Sequence, residues 1–372
     1  MVARDPARAR LDQRMTRLRE LAPGLSLAIL LAIGAHWLAN WIGTGLLGLP
    51  RSPISGITLA ILLGLLWANL TTPSAAIQTG ARFALTTLLR LGIVLLGLRL
   101  SLAQVGEIGL RSLPVIIAAI ATALLLARLI SRWLALPPRL GALIAVGTSI
   151  CGATAIVATA PTIGAREAET SYAVACIALF GLAAMLLYPF VAFWLFDGQG
   201  LRSGLFLGTA VHDTAQVLGA GMAYREYFGD AQALDVATVT KMVRNLAMIA
   251  VIPIMAIAFR PQPGSGAVAG VAPRWYQLIP LFVVGFAALS LLRTVGDVGA
   301  QPFGLLSIDA WQSLIGAGSR ASDALLATAM AAVGLSTRFS TLREIGLRPL
   351  LAALLCAVAV GGVAALTILA LY

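Results

Sequence analysis

Gly208-Thr209-Ala210-Val211-His212-Asp213-Thr214-Ala215-Gln216-Val217 interrupts one apolar run of this chain, and about one helix later Lys241-Met242-Val243-Arg244-Asn245 interrupts the next. A charged side chain at a bilayer centre costs about 2.5–3.5 kcal/mol, so Asp213, Lys241 and Arg244 facing lipid would together cost on the order of 8–10 kcal/mol. Such residues persist where they pair or face water, and they mark pathways by default. The two stretches therefore point to a helical membrane protein with its polar centre at lipid depth.

The rest of the chain agrees. Of 372 residues, 59% are hydrophobic and 11% charged, and the mean hydropathy is +0.93. Apolar runs long enough to cross a hydrocarbon core as helix fall near 22–47, 54–70, 84–100, 113–133, 140–160, 170–196, 203–222, 236–258, 276–293, 311–336 and 347–371. They lack sustained polar/apolar alternation, which excludes a closed β-barrel. The expected fold is an all-α polytopic membrane protein of about 10–11 transmembrane helices, with inverted repeats and discontinuous central helices.

The net charge of +11 is explained by orientation better than by nucleic acid. Arg4, Arg8, Arg10, Arg14, Arg17 and Arg19 precede the first run, making residues 1–20 a basic cytoplasmic tail. With that tail inside, Arg82, Arg128, Arg132, Arg139, Arg202, Arg260, Arg274, Arg338, Arg343 and Arg348 fall in inward loops, against Arg51, Arg111, Arg166, Arg225 and Arg293 outside. The bias predicts a multi-pass protein of a bacterial inner membrane with a cytoplasmic N-terminus. The first run is read as a retained helix, not a cleaved signal. Cys151, Cys176 and Cys356 lie inside runs without metal-like spacing, so no disulfide framework, metal or cofactor is expected.

The clearest break in composition, from Arg260 to Arg274, is rich in Pro and Gly and reads as a cytoplasmic linker over 260–274. Residues 21–197 and 198–372 are expected to form two transmembrane halves. Gly97-Leu98 followed by Glu107-Ile108-Gly109-Leu110-Arg111-Ser112-Leu113 recurs as Gly334-Leu335 followed by Glu344-Ile345-Gly346-Leu347-Arg348-Pro349-Leu350. Copies an odd number of crossings apart run in opposite senses, the mark of inverted repeats in secondary transporters. Glu107 and Glu344, with arginines at i+4, suggest pairing on a helix surface. Gly147-Thr148-Ser149-Ile150-Cys151-Gly152-Ala153-Thr154-Ala155-Ile156 also resembles the opening stretch. The two lie two runs apart, which would make them parallel; either one is re-entrant or the similarity is accidental.

Gly147, Gly152 and Gly208 are candidate broken-helix positions, because unwound backbone at lipid depth is tolerated where protein or water satisfies it. Half-helix ends there, with Thr148 and Ser149 hydroxyls, suit an anion near the midplane; the alternative is close packing through small residues. Lys241, the only lysine, Arg244 and Asn245 form a second polar face suited to a compact oxyanion. His212 and Asp213 are candidate coupling or gating residues, with Gln216 on the face of His212. The competing reading is a structural salt bridge from Asp213 to Arg244 or Lys241.

These motifs, with Pro53-Ile54-Ser55-Gly56-Ile57 and Gly92-Ile93-Val94-Leu95-Leu96-Gly97-Leu98-Arg99-Leu100-Ser101, resemble the YeiH-type sulfate exporter family of the bile-acid/auxin-carrier-like transporter superfamily. The resemblance implies a multi-helix carrier with broken central helices and export of a sulfate- or sulfonate-like anion. The chain departs from it in having Asp213 where Glu is more frequent. The leading expectation is a secondary active transporter of a small anion working by alternating access, not an enzyme. Its partners would be the lipid bilayer, the anion and a coupling proton or sodium, with a homodimer left open and no nucleic acid. An anion channel is the first rival. An intramembrane hydrolase, with Ser149 or Cys151 paired to His212, is the second.

Overall fold

A computed structural model describes residues 6–49, 52–259, 275–299, 301–342 and 346–372. The expected linker over 260–274 lies outside them, as do Glu344 and Ile345 of the second repeat copy. Fifteen α-helices are described: α1 (Pro6–Asn40), α2 (Gly56–Leu70), α3 (Ala75–Phe83), α4 (Leu89–Leu96), α5 (Leu102–Trp133), α6 (Pro138–Ser149), α7 (Ala153–Thr159), α8 (Glu167–Leu195), α9 (Gly200–Ala210), α10 (Thr214–Phe228), α11 (Gln232–Leu246), α12 (Met248–Ala258), α13 (Leu281–Gly296), α14 (Ile308–Ser336) and α15 (Leu347–Leu371). Six helical stretches, Arg19–Leu46, Ala75–Arg99, Leu102–Trp133, Glu167–Leu195, Gln232–Ala258 and Leu347–Leu371, are long and apolar enough to cross a membrane. The chain is an all-α polytopic membrane protein. The basic tail is helical from Pro6 onward and continues into the first crossing.

Local sequence sets the helix ends. Ser101 and Gln104 open α5 with a reciprocal cap: Gln104 N donates to Ser101 Oγ at 3.3 Å and Ser101 N to Gln104 Oε1 at 2.9 Å. Pro138 starts α6, where a missing N–H costs nothing. Gly229, at φ +77°, closes α10.

The chain divides into two compact units, Met1–Ile93 with Arg320–Phe339 and Val94–Ser319 with Ser340–Tyr372. The first has an alanine-rich core that includes Ala28, Ala35, Ala60, Ala84 and Ala331. Asn69 anchors it, donating to Thr337 O at 3.0 Å and accepting from Phe339 N at 2.8 Å.

In the second unit α5 and α15 run antiparallel. Tyr372 OH donates to Arg111 O at 2.5 Å, while Ala127, far along α5, packs with Ala352, Ala353 and Cys356 of early α15. The described part of the second repeat copy, Gly346–Leu350, therefore opens a helix opposite in sense to the one holding Glu107–Leu113, as an inverted repeat requires. The surface pairing expected in the first copy is present, Arg111 to Glu107 at 2.8 Å. With 32 residues at about 1.5 Å each, α5 is long enough to define two ends of this unit, one at Arg99 and one at Trp133.

Two of the apolar runs do not cross. In the first, α6 enters from the Trp133 end, where a Cβ on Gly141 would meet Ser131. The chain turns at Ile150-Cys151-Gly152 and α7 returns: a Cβ on Gly147 would lie 2.7 Å from Ile156 Cδ1, and one on Gly164 3.7 Å from Arg139. In the second, α9 enters from the Arg99 end, turns at Val211-His212-Asp213 and returns as α10. Ser203 Oγ and Tyr224 OH are 3.1 Å apart, and a Cβ on Gly200 would meet Asp230 beyond the end of α10. Both motifs are re-entrant hairpins that enter from opposite ends. That resolves the expected conflict: the two motifs are inverted, not parallel.

Candidate functional site

The hairpin tips meet beside α11. Aligned on Gly147 and Gly208, the motifs break in the same register, with Ser149 and Ala210 the last residues of α6 and α9 and Ala153 and Thr214 the first of α7 and α10. At the first tip the turn depends on Gly152, whose φ of +55° and ψ of −127° suit glycine alone. Gly152 N closes it by donating to Gly147 O at 3.1 Å. At the second tip Asp213 caps α10, its Oδ1 accepting from Ala215 N at 3.0 Å while its own N–H donates to Gln216 Oε1 at 3.3 Å. The tips touch: Cys151 Sγ lies 3.4 Å from Thr214 Oγ1, and a Cβ on Gly152 would sit 3.1 Å from Asp213 Oδ2.

A helix interrupted at lipid depth leaves carbonyls that water cannot reach. Here two side chains of α11 take them up, both fully buried. Lys241 Nζ donates to Ile150 O at 3.0 Å, to Val211 O at 3.1 Å and to His212 O. Arg244 donates through Nε to Ser149 O at 2.8 Å, through Nη2 to Thr148 O, and through Nη1 to Thr209 O and to Val211 O at 3.2 Å. The pattern follows the repeat, because Thr148 corresponds to Thr209 and Ile150 to Val211. Each cation bridges equivalent carbonyls of the two hairpins. Cations at helix C-termini also oppose the negative dipole ends.

The remaining candidate residues are placed as follows. The hydroxyls of Thr148 and Ser149 donate back to Ile144 O and Val146 O of their own helix. Gln216 Nε2 donates to Ala178 O of α8 at 3.2 Å, and Asn245 Nδ2 to Thr214 Oγ1 at 3.2 Å. Gly147 and Gly208 lie inside α6 and α9, two residues before their ends, and only Gly152 stands in a break. His212 is buried with the Thr148 backbone beside its ring, and among the described residues neither ring nitrogen makes a hydrogen bond of good geometry; nor do Thr209 Oγ1, Thr240 Oγ1 and Asn245 Oδ1. Ser149 Oγ is bonded to Val146 O and Cys151 Sγ lies beside Thr214 Oγ1, so neither is hydrogen-bonded to His212 among the described residues. Among the described residues no ion pair joins Asp213 to Lys241 or Arg244. Asp213 is half-buried and Thr154, at the start of α7, exposed.

Sequence reasoning missed the acceptors, since a backbone carbonyl has no letter. It also missed a second polar feature at the Arg99 end, where Arg99 Nε lies 3.4 Å from Asp235 Oδ1. That pair lines a cavity of about 480 Å³ with Gln104, Glu107, Arg111 and Gln232. The signal was Asp235, six residues before Lys241 on the same helix.

A family model described as "Conserved hypothetical protein 698" matches residues 23–353. A UPF0324 membrane protein of Streptococcus pyogenes serotype M18 is 34% identical over 346 residues, which cover 93% of this chain and 95% of that protein. A UPF0324 membrane protein of Bacillus cereus (strain ATCC 14579) is 31% identical over 338 residues, covering 89% of each chain. Another, from Streptococcus agalactiae serotype V, is 31% identical over 339 residues, covering 91% of this chain and 94% of that protein.

Proposed function

The chain belongs to the family described as "Conserved hypothetical protein 698", whose relatives here are bacterial membrane proteins, and on that premise we propose that it is a secondary active transporter of a small anion. One observation carries the reading: two re-entrant hairpins of the same sequence register enter from opposite ends and meet around two buried cations. Inverted, interrupted helices with a polar centre near mid-depth are the architecture on which alternating access is built. Lys241 and Arg244 bring two positive charges. The ends of α6 and α9 offset roughly one of them, and the Asp213 carboxylate is partly offset by the positive start of α10, leaving an excess of about half a positive charge. An anion at the tips is favoured, and sulfate or a sulfonate fits the family resemblance.

In the state described, Lys241, Arg244 and Asn245 are buried and their donors are taken up by protein, so the centre is closed, which favours a carrier over a channel. Approach would be from the side of Asp213 and Thr154. Lys241 and Arg244 attract the anion; Thr148, Ser149, Gln216 and Asn245 are donors that exchange internal bonds for it; His212 and Asp213 gate the tips or couple a proton. Export of a sulfate- or sulfonate-like anion across a bacterial inner membrane, with the N-terminus cytoplasmic and transmembrane halves meeting between α8 and α9, completes the proposal.

The test is counterflow in proteoliposomes with sulfate, sulfite, sulfonates and carboxylates, with and without a pH gradient. Saturable exchange of at least one sulfur oxyanion is expected. His212→Gln is expected to lower flux at least tenfold while shifting the unfolding midpoint less than Arg244→Ala does, because the ring carries no part of the carbonyl clasp. Conductance without exchange would replace the carrier by a channel, and pH-independent wild-type flux would remove the proton role.

A further inference from the structure

The Lys241 ammonium is held as proteins hold a bare monovalent cation. A buried lysine is ordinarily expected against a carboxylate; among the described residues Lys241 has none at ion-pair distance. Its three bonds end on carbonyl oxygens of Ile150, Val211 and His212, all in non-helical backbone at the hairpin tips. Unwound carbonyls at mid-depth are the donor set with which membrane proteins coordinate alkali cations. Ile150 and Val211 are repeat equivalents, so the ligands come from both hairpins and the site exists only while the tips are together.

We infer that the carbonyls of Ile150, Val211 and His212 form a monovalent-cation site at the meeting tips, and that Lys241 Nζ is its resident occupant, tethered by α11. Ile150 O and Val211 O lie 3.0 and 3.1 Å from Nζ and His212 O closer, so the three oxygens surround an ammonium on one side as they would a small bare cation. The tips of the natural protein then assemble without a free alkali ion, and sodium is not the coupling ion. That last consequence rests on the transporter reading; the site itself does not.

The test needs no transport. Unfolding midpoints of the purified full chain in nanodiscs are compared in choline, sodium, potassium and methylammonium chloride at one ionic strength. The wild type is expected to give the same midpoint in all four. Lys241→Ala is expected to melt lower in choline and to be raised by methylammonium and by at least one of the two alkali cations. Lys241→Met, whose neutral chain fills the same space, is expected to melt low in every salt. A wild-type midpoint raised by sodium or potassium overturns the inference even if neither variant accumulates. So does a Lys241→Ala protein that matches the wild type in choline or ignores the cation. Absence of anion exchange would leave these midpoints unchanged, so the two readings fail separately.

Discussion

The two hairpins share a register and a backbone solution but differ in chemistry. At the first tip the positions are Ile150, Cys151 and Gly152; at the second they are Val211, His212 and Asp213. The return arm is seven residues in α7 and fifteen in α10. Two of the three carbonyls that each hairpin offers to Lys241 and Arg244 are repeat equivalents, Thr148 with Thr209 and Ile150 with Val211, so what the repeat has kept is the clasp. The imidazole and the carboxylate stand on the second tip only; the first has the Cys151 thiol. The first hairpin thus offers hydroxyls, a thiol and backbone, and the second adds His212 and Asp213.

The strongest way to break the comparison is to remove what both hairpins share. Arg244→Ala takes the partner from Thr148, Ser149 and Thr209 carbonyls at once, while Val211 O keeps Lys241. A buried acceptor left unsatisfied costs about 1–3 kcal/mol, so the loss is expected to reach at least about 3 kcal/mol. Thermal unfolding in nanodiscs should show it, together with loss of flux. Arg244→Lys keeps the charge but not the planar fork that spans both arms, and is expected to restore only part of the midpoint.

The clasp also marks how far the sequence could be read. The two interruptions, their shared register and the cations of α11 were legible, because glycine, threonine and charged residues stand out in apolar sequence. The direction of the chain was not. A run such as 140–160 has the length and hydropathy of one crossing, and hydropathy is indifferent to a turn at its middle. Only Gly152, with its positive φ, and Asp213, a helix cap, mark the reversal, and both types also occur in straight, kinked helices. The salt bridge weighed for Asp213 was the natural partner by charge; the structure instead gives the cations to carbonyls and Asp213 to the start of α10.

Substitutions at the tips separate support from function. Gly152→Ala forces a side chain into a backbone region costing about 1–3 kcal/mol and places its Cβ 3.1 Å from Asp213 Oδ2. Asp213→Ala loses a helix cap, about 0.5–2 kcal/mol. Gly152→Ala is therefore expected to lower the unfolding midpoint more, and Asp213→Ala to lower flux more for its cost in stability. Equal flux per folded molecule in the two variants would show that the second tip holds no special role.

The smallest effects come from the paired glycines inside the entering arms, where intrinsic propensity and packing oppose each other. Replacing glycine by alanine within a helix gains about 1 kcal/mol of propensity. At Gly208 the new Cβ would lie 2.6 Å from Thr240 Cβ and 2.7 Å from Ala237 O. These are fixed atoms of α11, so α9 must move away, at about 1–3 kcal/mol for overpacking, and Lys241 and Arg244 move off its carbonyls with it. At Gly147 the nearest atom is the terminal Cδ1 of Ile156, at 2.7 Å, which can rotate. Gly208→Ala is expected to be net destabilising and to reduce flux; Gly147→Ala is expected to change the midpoint by less than about 1 kcal/mol. The reverse order would mean that α6, not α9, is the arm pressed against its partner.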